Sequence, residues 1–265
     1  MSVTIHNDIE YAPGLALDLY RPDAAADVPV VVYIHGGAWR EGDKSADGDT
    51  RLAGVAAHGI AVASINYRLL PALWPAQIHD VKGAVRWIRA HGAEHGLSTD
   101  RIGVWGSSAG AQLSALLALT PGDADFEGDV GGNTGVSSDV QVAVNWFGQV
   151  DLVTSARRSW LEDILLGPSV EPGLFGAESI DEVEDVARAA SPMFRVTPAA
   201  PPFLVSHGDR DRILPEADSR AFYDALSRAG VDASYQLIAG AGHEGHEYDT
   251  PANLAVTAAY LKAHL

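Results

Sequence analysis

Gly106-Ser107-Ser108-Ala109-Gly110 lies between a short apolar run, Ile102 to Trp105, and a longer apolar segment, Ala111 to Leu119. That order predicts a strand, a tight turn and a helix. A G-x-S-x-G turn in this setting folds sharply because small residues flank the serine, and it lifts the hydroxyl clear of the sheet. Ser108 is therefore the candidate nucleophile. The helix that follows directs its first N–H groups and the positive end of its dipole at the place where an oxyanion would form, which makes the Ala109 N–H one candidate donor. Small residues at a strand-to-helix turn also serve packing alone, so the remainder of the chain has to decide between the two readings.

Working outward, His35-Gly36-Gly37-Ala38-Trp39 follows the β-branched run Val30 to Ile34, which reads as a strand covered on both faces. Glycines directly after a buried strand let backbone N–H groups approach a bound group closely. Gly37 and Ala38 are the expected second half of an oxyanion hole, with Gly36 serving the turn and His35 anchoring the loop. Because the fourth position is alanine, the loop is expected to hold an ordinary L-residue conformation there. Loss of one oxyanion donor would cost on the order of 3 kcal/mol of transition-state stabilisation.

The flanking elements repeat the alternation. Residues 3 to 9 and 15 to 20 read as two edge strands joined by Ala12-Pro13-Gly14, and 50 to 58 as a short helix ended by Gly59. Ile60 to Ile65 is a strand. From Gln77 to His95 the positions Ile78, Val81, Val85 and Ile88 recur at helical spacing, with Asp80 and Arg86 as structural ion-pair formers. Val140 to Trp146 and Phe203 to Ser206 are strands, Glu216 to Ala229 a helix, Ala233 to Ile238 a strand, and a last helix starts near Pro251. Residues 151 to 190 are irregular and end in the acidic helix Asp181 to Ala189. They read as a small lid within a single domain of residues 1–265, because their core is too small to stand alone.

Strand and helix alternating throughout imply a mostly parallel, doubly wound α/β sheet with the site beyond the carboxyl ends of the strands. Ser108, Asp211 and His243 all fall in loops after strands, in the order Ser, Asp, His. A serine hydroxyl is a poor nucleophile until an imidazole takes its proton, and the imidazole needs a carboxylate to fix its tautomer. His243 is the expected base and Asp211 the orienting acid, with His246 and Asp209 as their rivals. Trp39, Trp74, Trp146, Phe147 and Leu214 are candidates to line a substrate pocket, although each also suits a core position.

Composition narrows the partners. The chain has 265 residues, and 18 basic against 35 acidic residues leave a net charge of −17, which would repel nucleic acid and anionic membrane surfaces. No cysteine is present, which excludes a thiolate nucleophile or metal site. Asp123, Asp125, Glu127 and Asp129 resemble the start of a calcium loop, but the twelfth position is Thr134 where a bidentate Glu is required, so a solvated loop is preferred. No metal and no cofactor are expected. Met1 to Glu10 has no signal-peptide pattern and no apolar run approaches the roughly 18 residues of a membrane span, so a cytoplasmic location is expected.

Taken together, these motifs resemble the α/β-hydrolase esterases of the hormone-sensitive-lipase-like and bacterial feruloyl-esterase-like branch. The resemblance rests on HGGAW with Gly42 and Lys44, NYRL at 66–69, the Asp80 to Trp87 helix, GSSAG, the Phe147-Gly148 to Asp151 turn, Ser191-Pro192, and HGDRD at 207–211 followed by Ile213-Leu214-Pro215. In that family the serine of GSSAG, the second aspartate of HGxxD and the histidine of the GxGH loop form the triad, which here are Ser108, Asp211 and His243. Two departures stand out: Glu244 follows the histidine where the family usually has glycine, and the lid is short. The resemblance implies a serine carboxylesterase acting on short-acyl or small aryl esters through an acyl-enzyme. An arylformamidase or amidase would use the same groups, and a catalytically dead ligand receptor is the rival from another class. The expected partner is a small ester, with homodimerisation left open.

Overall fold

The computed structural model describes residues 1–23 and 27–265. Among these residues eight strands form one sheet in the order β1-β2-β4-β3-β5-β6-β7-β8. They are β1 (Val3–Ala12), β2 (Leu15–Pro22), β3 (Val28–Ile34), β4 (Ala61–Ile65), β5 (Leu97–Ser107), β6 (Val142–Trp146), β7 (Phe203–Gly208) and β8 (Ala233–Ile238). β1 and β2 pair antiparallel, as do β2 and β4, and every pairing from β4 through β3 to β8 is parallel. Parallel strands need crossovers, and three long helices supply them: α1 (Ala76–His91), α2 (Ala109–Leu119) and α4 (Glu216–Arg228). Two further helices matter for the site, α3 (Trp160–Leu166) in the 151–190 excursion and the terminal α5 (Pro251–His264). This is the expected α/β-hydrolase architecture.

β3 shows why the core has two layers. Val30, Val32 and Ile34 pack on one side with α1 and α2, while Val31 and Tyr33 pack on the other with Trp105, Trp146 and the Leu254 and Leu261 face of α5. Alternate side chains go to opposite faces, and both faces are dry, so the strand reads as a continuous apolar run. α2 is buried along its whole length, as its largely apolar sequence requires, and its two polar side chains, Gln112 and Ser114, are hydrogen-bonded inside.

The structure corrects several element boundaries. The helix expected to reach His95 ends at His91, and a single 3-10 turn, Gly92–His95, tightens the chain before Gly96 turns it at φ +71° into β5. The 50 to 58 helix is a π-helical turn, Gly48–Leu52, that runs into the short helix Ala53–Ala56. That turn carries Arg51 into the interior, where it meets Asp47, Asp249 and the Tyr33 hydroxyl. The acidic helix near 181 is split into a 3-10 turn, Ile180–Glu182, and the helix Glu184–Ala189.

Buried ions pin the helices to the sheet. Arg68 Nε and Nη2 donate to the Asp80 carboxylate on α1 at 2.6–2.9 Å, and Arg86 and Lys82 reach Glu127 at 2.8 and 2.7 Å. Glu127 therefore serves a structural ion pair, and Asp123 caps the next turn by accepting from Asp125 N. The Asp80 side chain is 0% exposed and that of Arg68 is 45% exposed, so the two ends of this pair are not equivalent. Arg68→Leu would leave a carboxylate stranded inside, whereas Asp80→Asn leaves a guanidinium that still reaches water. The expected result is a loss of about 3 kcal/mol for Arg68→Leu and a smaller loss for Asp80→Asn, read from urea midpoints. No helix among the described residues is long and apolar enough to cross a membrane.

Candidate active site

The site forms where β3, β5, β7 and β8 end along one edge of the sheet. Ser108 sits between β5 and α2 with φ +51° and ψ −120°, a strained conformation for a residue with a Cβ. The surrounding packing enforces it. A Cβ on Gly110 would lie 2.1 Å from the Ile34 carbonyl oxygen, and one on Gly106 would lie 2.2 Å from the Gly110 carbonyl oxygen, so only glycine lets the turn close against β3. The turn is further held by the Ser108 N–H, which donates to Trp146 O at 3.0 Å.

Two long-range hydrogen bonds complete the arrangement. His243 Nε2 lies 3.0 Å from Ser108 Oγ, and His243 Nδ1 lies 2.7 Å from Asp211 Oδ2. The His243 loop can reach this position because it packs directly onto the end of β7. A Cβ on Gly208 would come within 2.3 Å of the Ala241 carbonyl oxygen, which instead accepts the Arg210 N–H at 2.9 Å. Phe147, held at φ +41°, packs edge-on against the His243 ring with centroids 4.9 Å apart.

Asp211 is the most heavily bonded carboxylate of the site. Its Oδ1 accepts the Ile213 and Leu214 N–H groups at 2.8 and 3.0 Å, and its Oδ2 faces both His243 and His207 Nε2, the latter at 3.1 Å. Burial alone would push its carboxyl up; the hydrogen bonds from His207, His243 and the Leu214 N–H outweigh that and hold it well below the usual carboxylate range. The group is therefore ionised and ready to fix an imidazole whose Nδ1 carries the proton.

The loop after β3 supplies the opposite wall. Gly37, Ala38 and Trp39 take φ values of +109°, +52° and +59°. The ordinary conformation expected at Ala38 is thus replaced by a left-handed one. The cause is the curl that brings the Arg40 and Glu41 N–H groups back to Gly37 O at 2.9 and 3.1 Å, together with the anchoring of the Trp39 indole to Gln112 Oε1 at 3.2 Å. Among the described residues, the Gly37, Ala38 and Ala109 N–H groups donate to no protein acceptor. His35 braces the loop from below, with its ring stacked 4.5 Å from Tyr67 and its Nδ1 2.7 Å from Gly36 O. Burial pushes its pKa down, in keeping with a neutral anchor.

These groups open into a cleft of about 490 Å³ walled by Gly37, Ala38, Ser108 and His243 and, across from them, by Leu165, Leu166, Val170, Ile213 and Leu214. Of the five residues considered for the pocket, Leu214 lines this cleft and the four aromatics do not. Trp39 and Trp146 are fully buried, Trp146 on the far face of the sheet beside Trp105 and Tyr248. Phe147 lies behind His243, and Trp74 packs on Phe126 and Phe175. The apolar part of the wall is aliphatic where aromatics were expected, and Gln149 and Arg158 add polar groups to it. His246 is exposed and, among the described residues, pairs only with Glu247 at 3.7 Å, while Asp209 accepts the Gly240 N–H at 2.7 Å and ties the two loops together. Glu244 turns into the cleft, with its Oε1 3.5 Å from the Ser107 hydroxyl. His207 escapes a reading of the sequence because it looks like one letter of a motif; its place at the buried end of β7, four residues before Asp211, is the signal that could have found it.

Known proteins resemble this chain in sequence and in fold. The BD-FAE family model matches residues 17–226. Esterase LipC of Mycobacterium tuberculosis (strain ATCC 25618 / H37Rv) is 36% identical over 239 residues, which is 87% of this chain and 57% of LipC. Esterase LipQ of the same organism is 35% identical over 245 residues, 89% of this chain and 56% of LipQ. The chain therefore spans little more than half the length of these relatives. Among solved structures, a truncated form of a carbohydrate esterase from gut microbiota superposes with a TM-score of 0.88 at 28% identity, covering 98% of this chain and 96% of that one. A family model that spans most of the fold, and relatives that share more than a third of their aligned residues over nearly the whole chain, make this protein a member of the BD-FAE family, built on the α/β-hydrolase fold.

Proposed function

We propose that the protein is a serine carboxylesterase that hydrolyses short-acyl or small aryl esters through an acyl-enzyme. The observation that carries this reading is the unbroken line from Ser108 Oγ through the His243 ring to the ionised Asp211. Ser108 Oγ attacks the ester carbonyl as His243 Nε2 takes its proton, and the N–H groups of Gly37, Ala38 and Ala109 receive the developing oxyanion. His243 then returns the proton to the departing alcohol. Water enters along the same path, gives a proton to His243 and attacks the acyl carbon, which frees the acid and restores Ser108.

The excursion at 151–190 acts in this scheme as a lid. α3 puts Leu165 and Leu166 on the cleft wall, and its Ser159 and Glu162 form a reciprocal cap at the start of the helix. The aliphatic wall suits a short acyl chain. On the nucleophile's side Glu41 and Glu244 add hydrogen-bond acceptors, which would suit an alcohol bearing hydroxyls. The named activity of the carbohydrate esterase neighbour makes acetylated sugars part of the same substrate panel.

The test is a comparison of p-nitrophenyl acetate, p-nitrophenyl octanoate, an acetylated sugar and N-formylkynurenine on purified protein. The reading predicts kcat/KM at least about tenfold higher for the acetyl ester than for the octanoyl ester, and higher for either acetate than for the formamide. A formamide turned over faster than every ester would replace the esterase reading by that of an arylformamidase.

A further inference from the structure

His207 is the one imidazole in contact with the proposed machinery to which the reaction scheme gives no work. Its side chain is 1% exposed at the end of β7, and its Nε2 lies 3.1 Å from Asp211 Oδ2 and 3.1 Å from the Leu214 carbonyl oxygen. Both of these atoms are acceptors, so Nε2 carries a hydrogen and divides it between them. In the neutral ring Nδ1 is then a lone pair, and it accepts the hydroxyl of Ser219, fully buried on α4, at 2.7 Å. Both ring nitrogens are thereby satisfied by a neutral imidazole in one tautomer.

The consequence falls on Asp211 Oδ2, which two imidazole N–H groups share: that of His243 at 2.7 Å and that of His207 at 3.1 Å. A carboxylate oxygen that already accepts one hydrogen bond is a weaker partner for a second, and in a dry site this competition is felt strongly. The placement of Asp211 does not depend on His207, because the Ile213 and Leu214 N–H groups hold Oδ1 independently. We propose that His207 is a positioning residue that tunes the base: by drawing on Oδ2 through its Nε2–H, it loosens the hold of Asp211 on the imidazolium that forms at His243. His243 thus stays neutral, and able to take the serine proton, at lower pH than an unshared carboxylate would allow. This rests on the assignment of Ser108, His243 and Asp211 proposed above.

Other titratable groups face the cluster from neighbouring elements. Asp218 on α4 interacts with His207, Tyr248 lies within the field of Asp211, and Glu244 follows His243 in the chain. All three are retained in a variant at position 207, so a change in the pH profile on substitution there reports on His207.

The experiment measures kcat/KM against pH for p-nitrophenyl acetate with the wild type, His207→Leu and His207→Gln. His207→Leu removes the donor and fills the space, and its acid limb is expected to move to higher pH by about half a unit or more. His207→Gln places an amide N–H near the former Nε2 and is expected to restore the wild-type limb. A limb that stays in place, or moves to lower pH, in His207→Leu would reduce His207 to a structural pin and overturn the proposal. Should His207→Leu fail to fold, 15N NMR of the wild type decides. An Nε2-protonated, neutral His207 whose N–H resonance shifts as His243 titrates supports the proposal, and an Nδ1-protonated ring or an N–H blind to that titration contradicts it. Absence of Ser108-dependent ester hydrolysis in the wild type would instead refute the reaction assignment, and the NMR result stands apart from that.

Discussion

Ser108→Ala is expected to reduce ester hydrolysis to background, a fall in kcat on the order of 10⁶-fold, while the thermal midpoint stays close to that of the wild type. The two parts of this expectation have separate causes. Among the described residues the Ser108 hydroxyl makes no hydrogen bond other than that with His243 Nε2, so its loss removes the attacking atom and frees the imidazole without opening a core. The strained φ of +51° is imposed by the close approach of Gly106 and Gly110 to their neighbours, and alanine bears the same strain as serine. Retained turnover in this variant would show that some other group attacks, and a collapsed fold would leave the chemistry to be judged by labelling.

Asp211→Asn is expected to be damaging in a way that few carboxylate-to-amide changes are. Oδ1 faces two backbone N–H groups and Oδ2 faces two imidazoles that both present hydrogens, so all four contacts of the side chain are with donors. An amide has one oxygen for one of these sides only. If its oxygen faces the imidazoles, its NH₂ is pressed against the Ile213 and Leu214 N–H groups. If it turns over, His243 is driven to the wrong tautomer. The first arrangement buries unsatisfied donors at a cost of about 1–3 kcal/mol, and the second lowers kcat by about 10⁴-fold. Asp211→Asn should therefore lose stability in the first arrangement and activity in the second, measured by the urea midpoint and p-nitrophenyl acetate turnover. An Asp211→Asn protein unchanged in both would mean that the four donors do not converge on this side chain.

The same charge gives a pH dependence of stability. The Asp211 carboxyl is held below its ordinary range in the folded protein, so its contribution is present above the carboxylate pKa of the unfolded chain and is lost as pH falls toward the lower folded value. The loss thus falls on the acid side, at pH values below about 4.

Some of this was legible in the sequence and some was not, for reasons that differ by residue. The strand, turn and helix around Ser108 follow from apolar runs of distinct length that meet at glycine-flanked small residues, a local pattern that tertiary contacts do not override. Likewise the spacing of Ile78, Val81, Val85 and Ile88 marks one buried face of α1. The separation of His243 from His246 was legible through loop position, since the residue nearer the strand is the one that can turn back over the sheet edge. For Trp39 and Trp146 the sequence left core and cleft equally open. Each lies near a strand end, where one residue of register decides between cleft, near layer and far layer, and local sequence does not fix that register against the sheet edge. The left-handed backbone at Ala38 and the inward path of Arg51 were hidden for a related reason: both depend on partners distant in sequence, Gln112 for the Trp39 anchor and Asp249 for Arg51. His207 was hidden because a buried histidine with both nitrogens bonded leaves no periodic trace.

The account depends most on Ser108 being an activated nucleophile, and reaction with a fluorophosphonate tests that with no assumption about substrate. Intact-mass and peptide analysis of the treated wild type should show one adduct per chain, on the peptide that contains Ser108, and none on Ser108→Ala. A wild-type protein that stays unmodified, or one labelled at a different residue, would contradict it.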